Sequence, residues 1–138
     1  MSVTYLLDTN TVSYIAKGRS PAARARLEAE SGTNAVCISS ITEAEVRYGL
    51  ARRPAAHALR AAVEGLLFKL PVLAWGSHEA AAYGELRARL EKAGITLSEM
   101  DLLIAAHALA AGAVLVANDG AFSQVADLRG IVNWATDV

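Results

Sequence analysis

Cysteine is almost absent from this 138-residue sequence: Cys37 stands alone, in the apolar stretch Ala35-Val36-Cys37-Ile38. One cysteine cannot close an internal disulfide, so a disulfide scaffold is excluded and a cytoplasmic setting is the expectation. Its surroundings read as those of a small buried strand residue, not of a nucleophile. The three histidines are far from Cys37 and from one another in the chain, which argues against a zinc site of nitrogen and sulfur ligands. Long apolar runs are missing too. None reaches the roughly 18 residues needed to cross a bilayer, so no membrane partner is expected. Residues 1–10 carry no basic stretch and their apolar run meets Asp8, so they do not read as a signal peptide. Nor does charge of one sign dominate: the formal net charge is −1, and overall charge does not advertise nucleic-acid binding. Repeats, low-complexity tracts and linkers are likewise absent, and the chain reads as one domain over 1–138.

The sequence is rich in apolar residues, at 54% against 20% charged, a balance that favours an ordered core over disorder. Short β-type runs alternate with helical ones. Strands are predicted over residues 3–7, 35–38, 71–75, 114–117 and 131–134. Helices are predicted over 9–17, 22–30, 41–52, 55–68, 77–93 and 99–111. The strand runs are continuously apolar, as expected where helices cover both faces of a parallel sheet. The expected architecture is therefore a three-layer α/β fold with a central, mostly parallel sheet of about five strands. Local punctuation agrees: Ser40 to Glu43 and Ser98 to Asp101 each fit a capping box. Gly94 and Gly112 follow helical runs as C-terminal caps, and Arg53-Pro54 separates two helices.

Ligands of parallel α/β sheets bind at the carboxyl ends of strands. Asp8 ends the first strand and Asp119 follows the fourth. An aspartate there is costly unless it is solvated, hydrogen-bonded or metal-bound, and each could instead cap the next helix. Two further acids lie on helices. Glu43 and Glu45 point about 200° apart. Glu43 pairs at i,i+4 with Arg47 and belongs to the surface. Glu45 shares a face with Ile41, Ala44, Tyr48 and Gly49, small or apolar residues expected to pack inward, which makes it the better buried-site candidate. Gly49 could admit another backbone or be a neutral packing position. Asp101 opens a strongly apolar helix and reads either as a capping residue or as a site residue. His107, about 240° further round that helix, reads as a core or interface histidine.

Four carboxylates gathered on one rim would repel one another unless protonated or met by a cation. Mg²⁺ suits such a set, since it prefers oxygen ligands and keeps several waters. A divalent cation can activate water and stabilise charge on a phosphodiester. No Ser–His–Asp or Cys–His arrangement competes. Local basic groups, Lys17, Arg19, Arg24 and Arg26 in one stretch and Arg47, Arg52 and Arg53 in another, either contact phosphates or decorate solvated helix faces.

The stretches Leu6-Leu7-Asp8-Thr9-Asn10, Ser39 through Gly49, Asp101 through Ala108, and Leu115-Val116-Ala117-Asn118-Asp119 resemble, in order and spacing, the four acidic motifs of PIN-domain ribonucleases, and most closely the VapC toxins of type II toxin–antitoxin systems. The tail from Phe122 to Trp134 is similar to the family's ending. The resemblance implies a PIN-like fold and a Mg²⁺- or Mn²⁺-dependent endoribonuclease cutting structured RNA, tRNA or ribosomal RNA. It implies Asp8, Glu45, Asp101 and Asp119 as catalytic, metal-holding acids, with Asn10 and Asn118 orienting them or a water. It further implies a homodimer and a VapB-type antitoxin that covers the site. Arg47, Arg52 and Arg53 are the candidate RNA contacts. Ala117 stands where the family commonly has threonine, which removes a hydroxyl beside the acids.

Three other readings compete. A response-regulator receiver needs an acid after the third strand and a lysine after the fifth. Here those strands run into Trp75-Gly76-Ser77 and Trp134-Ala135-Thr136. A phosphatase nucleophile loop needs a second acid where Asp8-Thr9-Asn10-Thr11 has Asn10. A non-catalytic PIN-fold module binding RNA or protein is the remaining alternative, which the intact acidic set opposes.

Overall fold

The computed structural model describes residues 2–118 and 120–136. Asp119 lies outside the described residues. The elements follow in the order β1 (Thr4–Leu7), α1 (Thr9–Ala16), α2 (Pro21–Ser31), β2 (Ala35–Ser39), α3 (Ser40–Ala51), α4 (His57–Lys69), β3 (Val72–Leu73), α5 (Ser77–Lys92), α6 (Glu99–Ala111), β4 (Val114–Val116), a 3₁₀ turn (Gly120–Gln124) and β5 (Ile131–Val132). The strands form one sheet in the order β3-β2-β1-β4-β5, and every pairing is parallel. The expected α/β architecture is borne out, with the sheet wholly parallel.

Both faces of that sheet are covered, which is why its strands read as unbroken apolar runs. Leu6, Cys37 and Leu115 point to one side, where they meet Leu86 and Leu90 of α5 and Leu102, Ile104 and Ala105 of α6. Leu7, Ile38 and Val116 point to the other, against Val12, Ile15, Leu27, Val63 and Leu66 of α1, α2 and α4. Neighbouring residues of one strand thus enter different cores. A one-residue register slip would exchange the two sets. The outer strands β3 and β5 are only two residues long, shorter than predicted. Trp134, just past β5, is 1% exposed and closes the second core.

The chain runs outward from β1 through β2 to β3, then returns to lay β4 and β5 on β1's other side. The reversal falls between β1 and β4, the place where a crevice opens in such sheets. Helix α3 occupies the rim, packing against α1 and α4 on one side and α6 on the other. It therefore bridges the two helical layers.

Two local expectations need correction. The cap of α3 is Ser39, whose side chain accepts from Ile41 N–H. Ser40 Oγ instead accepts from Trp75 N–H at 3.1 Å, a tertiary bond between the α3 start and the segment after β3. The face bearing Glu45 does not pack inward either: Ala44 is exposed and Tyr48 is 65% exposed. The core-facing stripe of α3 is Thr42, Val46 and Leu50. A Cβ on Gly49 would meet no atom within 4 Å, so no backbone approaches it.

Candidate active site

Asp8 is placed by the end of β1 and the start of α1. Its backbone N–H donates to Val116 O at 2.9 Å, tying it to β4 across the reversal point. Its Oδ1 accepts from Thr11 N–H at 2.9 Å, the N-cap bond of α1. Thr11 Oγ1 in turn donates to Val116 O. Asp8 is 3% exposed, and of the two alternatives set out in the sequence the cap is formed.

Glu45 arrives from α3, half-buried. Thr9 Oγ1 donates to Glu45 Oε1 at 2.5 Å, and Thr9 also lies 3.4 Å from the fully buried Thr42 hydroxyl. This threonine, which sequence reasoning missed, links the β1–α1 junction to α3. Its position between Asp8 and Asn10 was the available signal. Asp101 arrives from the first turn of α6. Its backbone N–H donates to the Ser98 cap, and its side chain is half-buried.

Asp8, Glu45 and Asp101 come together with Thr9, Asn10 and Ile104 around one cavity of about 80 Å³. The described acids thus converge from three separate elements. Ile104, one helical turn beyond Asp101, supplies an apolar wall. Asn118 is exposed at the end of β4 and accepts from Asn133 Nδ2. Tyr14, on α1, is close to this rim. Burial raises its pKa most, the Asn118 side chain opposes, and the charge of Asp8 adds to the rise. Its hydroxyl has no hydrogen bond of good geometry among the described residues.

Among the described residues no three His, Cys, Asp or Glu side chains form a group that could hold a metal ion by themselves. The donor chemistry nonetheless suits a hard cation, since the polar groups lining the cavity are carboxylates, an amide and a hydroxyl. Its volume leaves room for several waters, the form in which Mg²⁺ is usually held.

The other reactive side chains are accounted for elsewhere. Burial pushes the Cys37 thiol up to about 11, and its sulfur donates to Tyr5 O. His107 is 2% exposed and lies 2.8 Å, Nδ1 to Oγ, from Ser39. Ser39 Oγ also accepts from Ile41 N–H, so one hydroxyl joins the start of α3 to α6. Desolvation holds His107 below the usual imidazole value, with Glu79 partly opposing. Of the expected RNA contacts, Arg47 is bonded to Glu43 through Nε and Nη2. Arg52 and Arg53 line a separate groove that reaches Glu45. No helix among the described residues is long and apolar enough to cross a membrane.

The chain matches the family model described as "PIN domain" over residues 5–128. It is 37% identical over 131 residues to a "Ribonuclease VapC2" of Haemophilus influenzae, covering 94% of this chain and 97% of that protein. It is 34% identical to the "tRNA(fMet)-specific endonuclease VapC" of Salmonella typhimurium, with the same coverage. The solved VapBC2 complex of Rickettsia felis, bound to a DNA fragment from its promoter, contains a chain 32% identical with TM-score 0.90, covering 96% of this chain and 99% of that one. Acidic side chains meeting at the sheet's reversal point, and relatives matched over nearly their full length, place this chain in the PIN-domain family, among the VapC ribonucleases of toxin–antitoxin systems.

Proposed function

We propose that this single-domain chain is a Mg²⁺- or Mn²⁺-dependent endoribonuclease, the toxin of a type II pair, and that it cuts tRNA in the cytoplasm. The observation that carries the reading is the meeting of Asp8, Glu45 and Asp101, from three elements, on one cavity. The name of the Salmonella relative supports tRNA as substrate class. The VapBC complex of Rickettsia supports a VapB-type antitoxin as partner, with the chain acting as a homodimer or within that complex.

Asp8, Glu45, Asp101 and Asp119 would hold the cation. A divalent ion in such a site lowers the pKa of water and stabilises charge on the phosphodiester. The chain's own groups prepare that chemistry. The Asp8 cap bond holds one carboxylate oxygen on Thr11 N–H, which restricts the side chain's rotation beside the cavity that Asp8 lines. Thr9 holds Glu45 by one oxygen in the same way. Such outer partners are typically worth about 10- to 100-fold in metal affinity or activity. Asn10, on the cavity lining, and Asn118, held by Asn133, would orient a carboxylate or the substrate. Arg52 and Arg53, with Arg47 at the periphery, would attract phosphate.

The test is cleavage of tRNA(fMet) and total bacterial RNA by antitoxin-free protein, with Mg²⁺ or Mn²⁺, with EDTA, and beside Asp8→Asn. Discrete fragments that need the metal and are absent from the variant are the expected result. No cleavage by folded protein with either metal overturns the reading in favour of a non-catalytic module.

A further inference from the structure

A groove of about 150 Å³ runs from the carboxylates between α1, α3 and α4. Thr9 and Glu45 line both it and the 80 Å³ cavity, so the two spaces adjoin. At its far side stand Lys17, Arg52 and Arg53. These cations differ from five of the chain's ten arginines. Arg26, Arg47, Arg60, Arg87 and Arg89 each lie within ion-pairing distance of an acid. Lys17, Arg52 and Arg53 have no such partner among the described residues. Lys17 and Arg52 are the C-caps of α1 and α3, where a cation also complements the helix dipole, but dipoles do not explain why three of them surround one groove.

Helical spacing adds an aromatic group. Glu45, Tyr48 and Arg52 fall at i, i+3 and i+7 of α3, on one face. Tyr48 is 65% exposed, and the Arg52 guanidinium stacks 5.0 Å from its ring centroid. An exposed ring already stacked with a guanidinium, one turn from a site carboxylate, is the arrangement on which an unpaired base stacks. Gly49 lies on the groove wall, and a Cβ there would project into open space.

We infer that this groove carries the RNA strand on one side of the cleaved bond, with Lys17, Arg52 and Arg53 contacting its phosphates and Tyr48 stacking on a base. The inference rests on the ribonuclease reading and adds Lys17 and Tyr48 to the substrate contacts, while Arg47, committed to Glu43, contributes little.

The test measures the affinity of labelled tRNA(fMet) for the full chain across a salt series, in an Asp8→Asn background that suppresses cleavage. Each lost phosphate contact lowers the salt slope by about one, so the triple variant Lys17→Ala, Arg52→Ala, Arg53→Ala should lower it by about two to three. Tyr48→Ala should weaken binding about 5- to 150-fold with the slope unchanged, and Tyr48→Trp should restore it. Gly49→Leu should weaken binding by filling the groove while circular dichroism shows an intact fold. An unchanged slope in the triple variant overturns the inference, as does undiminished binding by Tyr48→Ala. So does a triple variant that still binds RNA but no longer binds its antitoxin, which would give the groove to the protein partner. Metal-dependent cleavage by the wild-type chain, measured separately, shows whether the ribonuclease reading survives either result.

Discussion

Asp8 and Asp101 sit on the same cavity, each at the N-terminus of a helix, yet they are built into the fold differently. Asp8 is itself the cap of α1, is 3% exposed, and is tied to β4 through its backbone. Asp101 sits three residues inside α6, where Ser98 does the capping, and remains half-buried. The first carboxylate caps a helix and lines the cavity at once; at the second, a neighbouring serine does the capping. A lesson follows for interpreting mutants of such sites. Loss of activity at Asp8 is informative only when the replacement keeps the cap.

The largest expected effect is on turnover. Asp8→Asn retains a good cap and removes the charge, so cleavage of tRNA should fall about a hundredfold or more, beyond the cost of losing an outer partner. Asp101→Asn should lose activity comparably. Unimpaired cleavage by either would break the equivalence of the two acids in catalysis. Thr9→Val comes next: it removes the bond to Glu45 while keeping size, and should lower activity about 10- to 100-fold. Little change in its rate would show that Thr9 does not position Glu45.

Stability separates the two aspartates more finely. Asp8→Ala should cost about 1 kcal/mol more than Asp8→Asn, the usual worth of an N-cap. Alanine and asparagine at Asp101 should unfold at nearly the same denaturant concentration. A similar gap at both sites would show that Asp101 also carries structure.

The smallest effect concerns the layer between them. His107 binds Ser39, the cap of α3, from α6. Burial holds its pKa down, with Glu79 opposing in part, so the unfolded chain takes up the proton first as pH falls. The contribution is complete above the ordinary imidazole value of about 6.5 and is lost progressively below it. Unfolding followed between about pH 7 and pH 5 should therefore show stability declining toward acid, with a shallower decline in His107→Gln. Equal slopes would remove His107 from the pH response.

Much of this was legible beforehand because it depends on local periodicity. Apolar runs of strand length marked both-face burial, and Leu6 and Leu7 do enter opposite cores. Ser98 announced its helix three residues before Asp101. The failures arose where a residue's partner is distant in the chain. Spacing placed Glu45, Tyr48 and Gly49 on one face, but only the seating of α3 between two layers left that face open. Ser40 had the right neighbours for a cap, yet Trp75, from the segment after β3, took its hydroxyl.

The sequence by itself determined the alternation of strands and helices, the membership of the PIN family and which acids are candidates for the site, because hydrophobic period, caps and motif order are written in neighbouring residues. Tertiary structure alone decided that Asp8, Glu45 and Asp101 share one cavity, that Thr9 reaches across to Glu45, and that Lys17 joins Arg52 and Arg53 around a groove. Those contacts depend on the order of strands in the sheet and on the wedging of α3 at its rim, which bring together side chains that chain spacing leaves far apart.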